Sequence, residues 1–389
     1  METGVGERVD VAVVGAGFGG LGVACVCADA GFSVTILERR PRLAPEGVGI
    51  VLQPNGLAVL ERLGVLQQVL AVGHRITTVR QCDPSGRVRA VTSYAELRHP
   101  HPYLVCVERT SLISLLADRL FARTELRTGC AAGGLERQDG RVSGVRYADA
   151  SGAQHTLRAA CVVGADGINS VIREALGVRT RNRTGPDRYV LGLAPCKPAD
   201  DAAVLYCGPG WCDGVLPYGD HTYFFDHITD ENREAVQRRD FDAWRDNYIR
   251  RIPDASRIVA DLGSFEDLGF LSGRTHRAVQ RVLPGVALVG DAAAAVHPHS
   301  GQGANLALED ALALGAALAA HGPHSTAALG TYARARNAKL RRYVPWSIFI
   351  GRTFDGPGPG WRAVRRVGYL ASHLPPARRA SMRQHAGLG

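Results

Sequence analysis

An α/β fold with a parallel sheet and a second, sheet-rich lobe is what this sequence predicts, on three observations. Val9 to Gly20 reads as a β-branched run entering a Gly15-x-Gly17-x-x-Gly20 turn, from which a small-residue helix departs. A second strand, Ser33 to Leu37, ends on Glu38, 18 residues after Gly20, which closes a β-α-β unit. From Arg188 to about Gly273 the composition shifts to short aromatic and β-branched strands.

Each part of the first unit has a physical task. Gly15 permits the tight turn, Gly17 lets the backbone approach a pyrophosphate, and Gly20 lets helix and strand pack closely. The helix N-terminus offers free N–H groups to phosphates. Glu38, followed by Arg39, stands where a carboxylate accepts hydrogen bonds from a ribose hydroxyl. The pattern predicts dinucleotide binding. Val11 to Ala28 is also 18 residues without a charge, close to a membrane span in length. Its five glycines, flanking Asp10 and Asp29 and lack of a basic leader argue against a span or a signal peptide.

The chain continues with Gly47 to Asn55, which opens a helix at Gly56–Leu63 stopped by Gly64. Ile76 to Ser93 predicts two antiparallel strands joined at Asp83-Pro84-Ser85-Gly86. Arg109 precedes an apolar-periodic helix, Leu112 to Phe121. Strands follow at Arg141–Tyr147 and Thr156–Val163, then at Tyr189–Leu193, Ala203–Cys207, Gly214–Pro217 and Thr222–His227. One helix is expected from about Arg233 to Arg251, and a buried one from Asn305 to Ala320, ended by Gly322-Pro323. Arginine-rich helices, broken by Gly-Pro at 356–360, finish the chain.

At 389 residues the chain can bury a large core in two or more lobes. Nine scattered cysteines without a Cys-x-x-Cys suggest a reducing, cytoplasmic setting. The net charge of +9 is unevenly placed. Thr331 to Gly389 holds twelve Arg/Lys and one acid, so the remainder is slightly acidic. That distribution argues against a nucleic-acid groove and suggests a solvated helical face.

Two further strands end in a glycine-acid pair: Gly164-Ala165-Asp166-Gly167, with Ser170 and Arg173 following, and Gly290-Asp291. A carboxylate at a strand's C-terminal end lies where open α/β sheets bind ligands, although either pair alone is as readily a turn or helix cap. Together with Gly15-x-Gly17-x-x-Gly20 and Gly301-Gln302-Gly303-Ala304-Asn305-x-Ala307-x-Glu309-Asp310-Ala311, these motifs resemble the fingerprints of the single-component flavoprotein aromatic hydroxylases, from about Val9 to Arg342. The resemblance implies the para-hydroxybenzoate hydroxylase fold: a Rossmann-type FAD-binding domain with an inserted, β-sheet-rich substrate domain, and C-terminal helices. The division expected is 1–75, 100–187 and 274–350 for FAD, 76–99 and 188–273 for substrate, and 351–389 for a helical segment.

The resemblance also implies roles. Glu38 binds the adenosine ribose, Arg109 steadies the phosphate or ribityl part, and Asp166 with Gly167 serves flavin and nicotinamide, supported by Arg173. Asp291 binds a ribityl hydroxyl. Gly301, Gly303, Ala304 and Asn305 pass beneath the isoalloxazine, and Pro298 lies beside the ring. Many members carry histidine where Ala294 stands here, and His297 is no assured substitute. The implied reaction is NAD(P)H reduction of FAD, capture of O2 as a C4a-hydroperoxide, and transfer of one oxygen atom to an aromatic or other electron-rich small molecule. Epoxidation or oxidation of an isoprenoid or indole-type substrate, and a non-catalytic flavin-binding role, are the alternatives. Halogenation is disfavoured: no lysine precedes Lys197, and no Trp-x-Trp pair occurs.

Among Tyr206, Tyr218, His221, Tyr223 and His227 on the expected substrate sheet, Tyr218 and His227 are the candidate substrate-activating bases because they flank a strand pair. Trp211 walls the pocket or packs inside. His297 and His299, two apart with no neighbouring acid or cysteine in sequence, are poor metal ligands, and no metal is expected. The expected partners are the substrate and O2, with no nucleic acid or membrane span, in a monomer or homodimer.

Overall fold

The computed structural model of the chain describes residues 7–43, 48–120, 124–183 and 188–389. Five parallel strands form its central layer, in the order Val286–Leu288, Gln154–Gly164, Arg8–Val14, Val34–Glu38, Thr124–Thr128. Val11, Val13, Ile36, Cys161 and Val163 are buried to zero or nearly so, as expected of a sheet covered on both faces. The antiparallel pair Ala131–Gln138 and Arg141–Ala148 branches from the Gln154–Gly164 strand. The first of that pair, and the strand Thr124–Thr128, carry too little apolar alternation to be read from sequence.

One face of the central sheet is covered by the helices Phe18–Asp29 and Gly303–His321, packed against each other through glycines. A Cβ on Gly22 would lie 2.8 Å from the Ala311 methyl, and one on Gly315 would lie 2.4 Å from Val26. Gly303–His321 is long and apolar enough to cross a bilayer, but it buries ten residues in this core.

A seven-stranded second sheet follows the order Leu268–Ser272, Arg188–Ala194, His221–His227, Trp211–Tyr218, Ala203–Gly208, Thr78–Cys82, Val88–Ser93. It thus joins the strands expected near residues 76–93 to those expected after 188. Its register puts Tyr189 opposite His227 and Leu191 opposite Phe225, with Phe225 opposite Gly214 on the next strand. That face looks toward the first layer. Val190 and Phe224 point the other way, under Trp244 and Tyr248.

The helix expected from Arg233 to Arg251 is two helices, Asp230–Arg238 and Phe241–Arg251. Arg239 breaks it in a left-handed conformation (φ 55°), and Asp240 caps the second helix by accepting from Ala243 N. The division placed at 350/351 falls inside a continuous helix, Thr326–Asp355, which ends instead at Gly356. Nor are the C-terminal arginines a solvated face throughout: Arg336 and Arg365 are buried. Gly47 and Phe121 lie outside the described residues.

Candidate active site

Three strand ends converge. Gly15 leaves its strand with φ 100°, a conformation that a side chain resists, and a Cβ there would lie 2.6 Å from Ala165 O. Gly19 stands over Val289, one residue before Gly290-Asp291. The glycine-acid pairs that were separate in sequence therefore share one edge of the sheet, at the C-terminal ends of parallel strands.

The glycines divide by what surrounds them. A Cβ on Gly20 would sit 1.9 Å from Gly15 O, so this glycine serves helix packing. A Cβ on Gly17 or Gly303 would meet nothing within 4 Å, so neither is required by the protein's own packing. Gly17 faces a cradle at a helix N-terminus, which fits a diphosphate approaching closely. Glu38 is buried and accepts from Ala16 N (2.9 Å) and Arg40 N (3.0 Å), tying the second strand's end to the glycine turn. Arg39 is exposed beside it.

Asp291 opens toward the cleft. Enclosure by the surrounding protein pushes its carboxyl up, and nearby Arg109 pulls it back down. The Arg109 guanidinium lies 5.2 Å from the Phe18 ring, just after Gly17. Asp166 is differently engaged. Its oxygens accept from Ser170 Oγ (2.6 Å) and Ile172 N (3.1 Å), holding its own loop. Arg173 donates to Ala292 O (3.0 Å) and Ile168 O (2.8 Å), which fastens that loop to Gly290–Ala292. Gly167 has φ 81° and open space around it.

The Gly301–Asn305 loop is built from both sides. Asn305 accepts from Gln53 N (2.9 Å) and donates to Val51 O (3.2 Å) and Gly301 O (2.8 Å). A Cβ on Gly56 would strike Asn305 Oδ1 at 1.9 Å. Gln302 and Asn55 exchange two amide hydrogen bonds of 3.0 Å, and Gln302 also donates to His385 O (2.8 Å). Asp310 accepts from Gly290 N (2.9 Å), and Arg336 bridges Glu309 and Asp310. Ala304 packs on the main core. The donors, turn glycines and open cradle fit a flavin dinucleotide.

Beside this loop lies a cluster that sequence reading did not assemble. Pro298, half-buried, is flanked by His297 and His299, whose rings stack at 5.5 Å. His299 Nε2 lies 2.6 Å from Asp355 Oδ1, and Tyr189 Oη donates to Asp355 Oδ2 at 2.5 Å. His297 Nε2 and His227 Nδ1 each approach Asp355 to 3.9 Å. Burial raises the Asp355 carboxyl, but the facing His299, with His227 and His297, outweighs it and holds the group below the usual range. Burial depresses His299, partly offset by Asp355, so the imidazole is neutral near pH 7. The short Nε2–Oδ1 bond places the ring proton on Nε2 and the lone pair on Nδ1. Phe225 and Phe354 edge the His299 ring at 5.7 and 5.4 Å.

Of the two candidate bases, His227 belongs to this cluster and Tyr218 does not. Tyr218 pairs with His221 at the opposite end of the hairpin, about 20 Å along the strand. Its phenol is raised by burial and by Glu108, whose backbone it meets. Tyr206 faces the helices, with Trp211 packed under Arg251 at 4.5 Å, and Tyr223 is buried against Gly49. Asp355 had one legible signal: it is the lone acid among the twelve bases after Thr331.

Comparison with known proteins places this geometry. The family model described as "FAD binding domain" matches residues 8–347. The chain is 30% identical over 317 residues to a 6-methylpretetramide 4-monooxygenase of Streptomyces rimosus, covering 79% of this chain and 74% of the relative. It is 32% identical over 332 residues to a 3-amino-4-hydroxybenzoate 2-monooxygenase of Streptomyces cremeus, covering 80% and 78%. The crystal structure of p-nitrophenol 4-monooxygenase from Pseudomonas putida superposes with a TM-score of 0.84 at 21% identity, over 98% of each chain.

Proposed function

Because this chain belongs to the family of FAD-dependent aromatic monooxygenases, we propose that it hydroxylates a small aromatic molecule bearing an ionisable hydroxyl or amino group, with NAD(P)H as reductant. The observation that carries the substrate class is the His299–Asp355 pair beside Pro298. An electron-rich ring accepts oxygen more readily when its phenolic proton is withdrawn, and a neutral histidine oriented by a buried carboxylate is suited to take that proton. A relative at 32% identity, the 3-amino-4-hydroxybenzoate 2-monooxygenase of Streptomyces cremeus, acts on a substrate of that class by its name.

In this reading the Gly15–Gly20 turn holds the diphosphate, Glu38 and Arg39 the adenosine ribose, and Arg109 and Asp291 the ribityl chain. Gly167 leaves room beside it, and Gly301 to Asn305 support the ring. FAD supplies, once reduced, the activation of dioxygen. The protein's own part is positional. His299 Nδ1 receives the substrate proton, Asp355 stabilises the resulting imidazolium, and Tyr189 fixes Asp355. His227 completes the enclosure, and Phe225 and Phe354 exclude water.

The test is a panel of hydroxybenzoates, aminophenols and nitrophenols, read as substrate-accelerated NAD(P)H consumption. His299→Gln is expected to lower kcat on the responding phenol by about 10²–10⁴-fold while FAD content stays normal. The depressed basicity of His299 sets the acid limb. Activity holds at neutral pH and is lost only on acidification past the ordinary imidazole range, because burial holds His299 below it, and His299→Gln removes that limb. Unchanged phenol turnover in His299→Gln would remove the histidine from the account.

A further inference from the structure

The helix Pro359–Ser372 faces the wrong way for a helix packed on a protein core. Its buried side chain is Arg365, 7% exposed, which donates to Phe354 O and Gly208 O at 2.8 Å each. On the opposite side Val364, Val367 and Leu370 are 38, 64 and 65% exposed, and Leu374 continues the row at 61%. At 3.6 residues per turn Val364, Val367 and Leu370 fall within an arc of about 120° directed away from Arg365, and Leu374 follows in the turn to the next helix. Phe349 of the preceding helix, 49% exposed, meets Trp361 at 6.0 Å on the flank of this helix. Exposed aliphatic side chains set singly are ordinary; a contiguous row on one face marks a binding surface.

Charge identifies the occupant. Arg362 and Arg366 are exposed along the border of the row. Thr331 to Gly389 contains twelve bases and one acid, and that acid, Asp355, is buried under His299. The surface around the row therefore carries only positive charge from this segment. A second copy docking by the same face would bring two arginine borders together, whereas an anionic bilayer complements both the charge and the apolar row. We infer that Pro359–Leu374 is a peripheral docking surface for anionic lipid membranes: Val367, Leu370 and Leu374 enter the boundary between headgroups and acyl chains, and Arg362 and Arg366 meet lipid phosphates.

The experiment is co-sedimentation of the FAD-loaded enzyme with vesicles of phosphatidylcholine, with and without phosphatidylglycerol, across a range of salt. The expected result is binding to phosphatidylglycerol vesicles at about 0.1 M salt that weakens as salt rises. Val367→Glu with Leu370→Glu lowers that binding by at least about tenfold and leaves FAD content and NAD(P)H oxidation unchanged. Arg362→Glu with Arg366→Glu abolishes the preference for the anionic lipid. Absence of binding to phosphatidylglycerol vesicles, or binding that survives the leucine and valine changes, overturns the assignment. So does a solution dimer that Leu370→Glu dissociates, since that gives the face to a second copy.

Discussion

At the scale of single residues, the two strand-end aspartates divide a task that the sequence assigned to both. Asp166 spends its oxygens on Ser170 and Ile172, whereas Asp291 opens toward the cleft with Arg109 nearby. Asp291→Ala is therefore expected to lower FAD retention by about tenfold or more, as loss of a ligand hydrogen bond of about 1–3 kcal/mol implies. Asp166→Ala should chiefly loosen its loop, visible as a lower melting temperature. Equal FAD retention after desalting in the two variants would reject this division. The Asp355 site extends further into the molecule: His227 N donates to Asp213 (2.8 Å), which with Asp226 grips Arg251. Two buried carboxylates that share the Arg251 guanidinium thus sit behind the histidine cluster, and burial pushes the Asp213 carboxyl up to about 8.

At the scale of elements, the β-α-β unit shows how a glycine motif mixes two physical causes. Gly20→Ala would force a methyl against Gly15 O and is expected to destabilise the protein by about 1–3 kcal/mol. Gly17→Ala meets no protein atom, so the apoprotein should melt as before, while FAD binding weakens about tenfold, or about 1.4 kcal/mol. Thermal melts with and without added FAD separate the two, and a Gly17→Ala variant with undiminished FAD affinity would remove the diphosphate from this turn. The unit was legible because its signals are local: strand, turn, helix and acid lie within residues 9–38. Six of the second sheet's seven strands were legible for the same reason, in their aromatic and β-branched runs, whereas the edge strand Leu268–Ser272 was not read. The Asp230–Arg251 break was not, because Arg239 adopts a left-handed conformation that no glycine announces. The histidine cluster was legible only in fragments. Tyr189, His227, His297, His299 and Asp355 come from four separate elements, and only the sheet register and the length of the Thr326–Asp355 helix bring them together.

At the scale of the whole molecule, the fold places a cofactor cradle on one layer against an aromatic sheet face on the other. The Gly301–Asn305 loop and the Thr326–Asp355 helix lie between them. The C-terminal residues take part in that closure: His385 O receives Gln302, and Lys339 Nζ joins Glu309 to Gly387 O at 2.6 Å each. The arginine-rich finish therefore braces the Gly301–Asn305 loop from behind while leaving one apolar face outward. The proposed reaction is oxygen insertion into an ionisable aromatic ring by the FAD-loaded protein. It is tested most directly by supplying NAD(P)H and ¹⁸O₂ with the phenol that most accelerates NAD(P)H consumption, and weighing the product. One labelled oxygen atom is expected in a hydroxylated product formed in step with NAD(P)H use, with loss of that product in His299→Gln. NAD(P)H consumption that yields only hydrogen peroxide across the whole panel, with no labelled product, would contradict it.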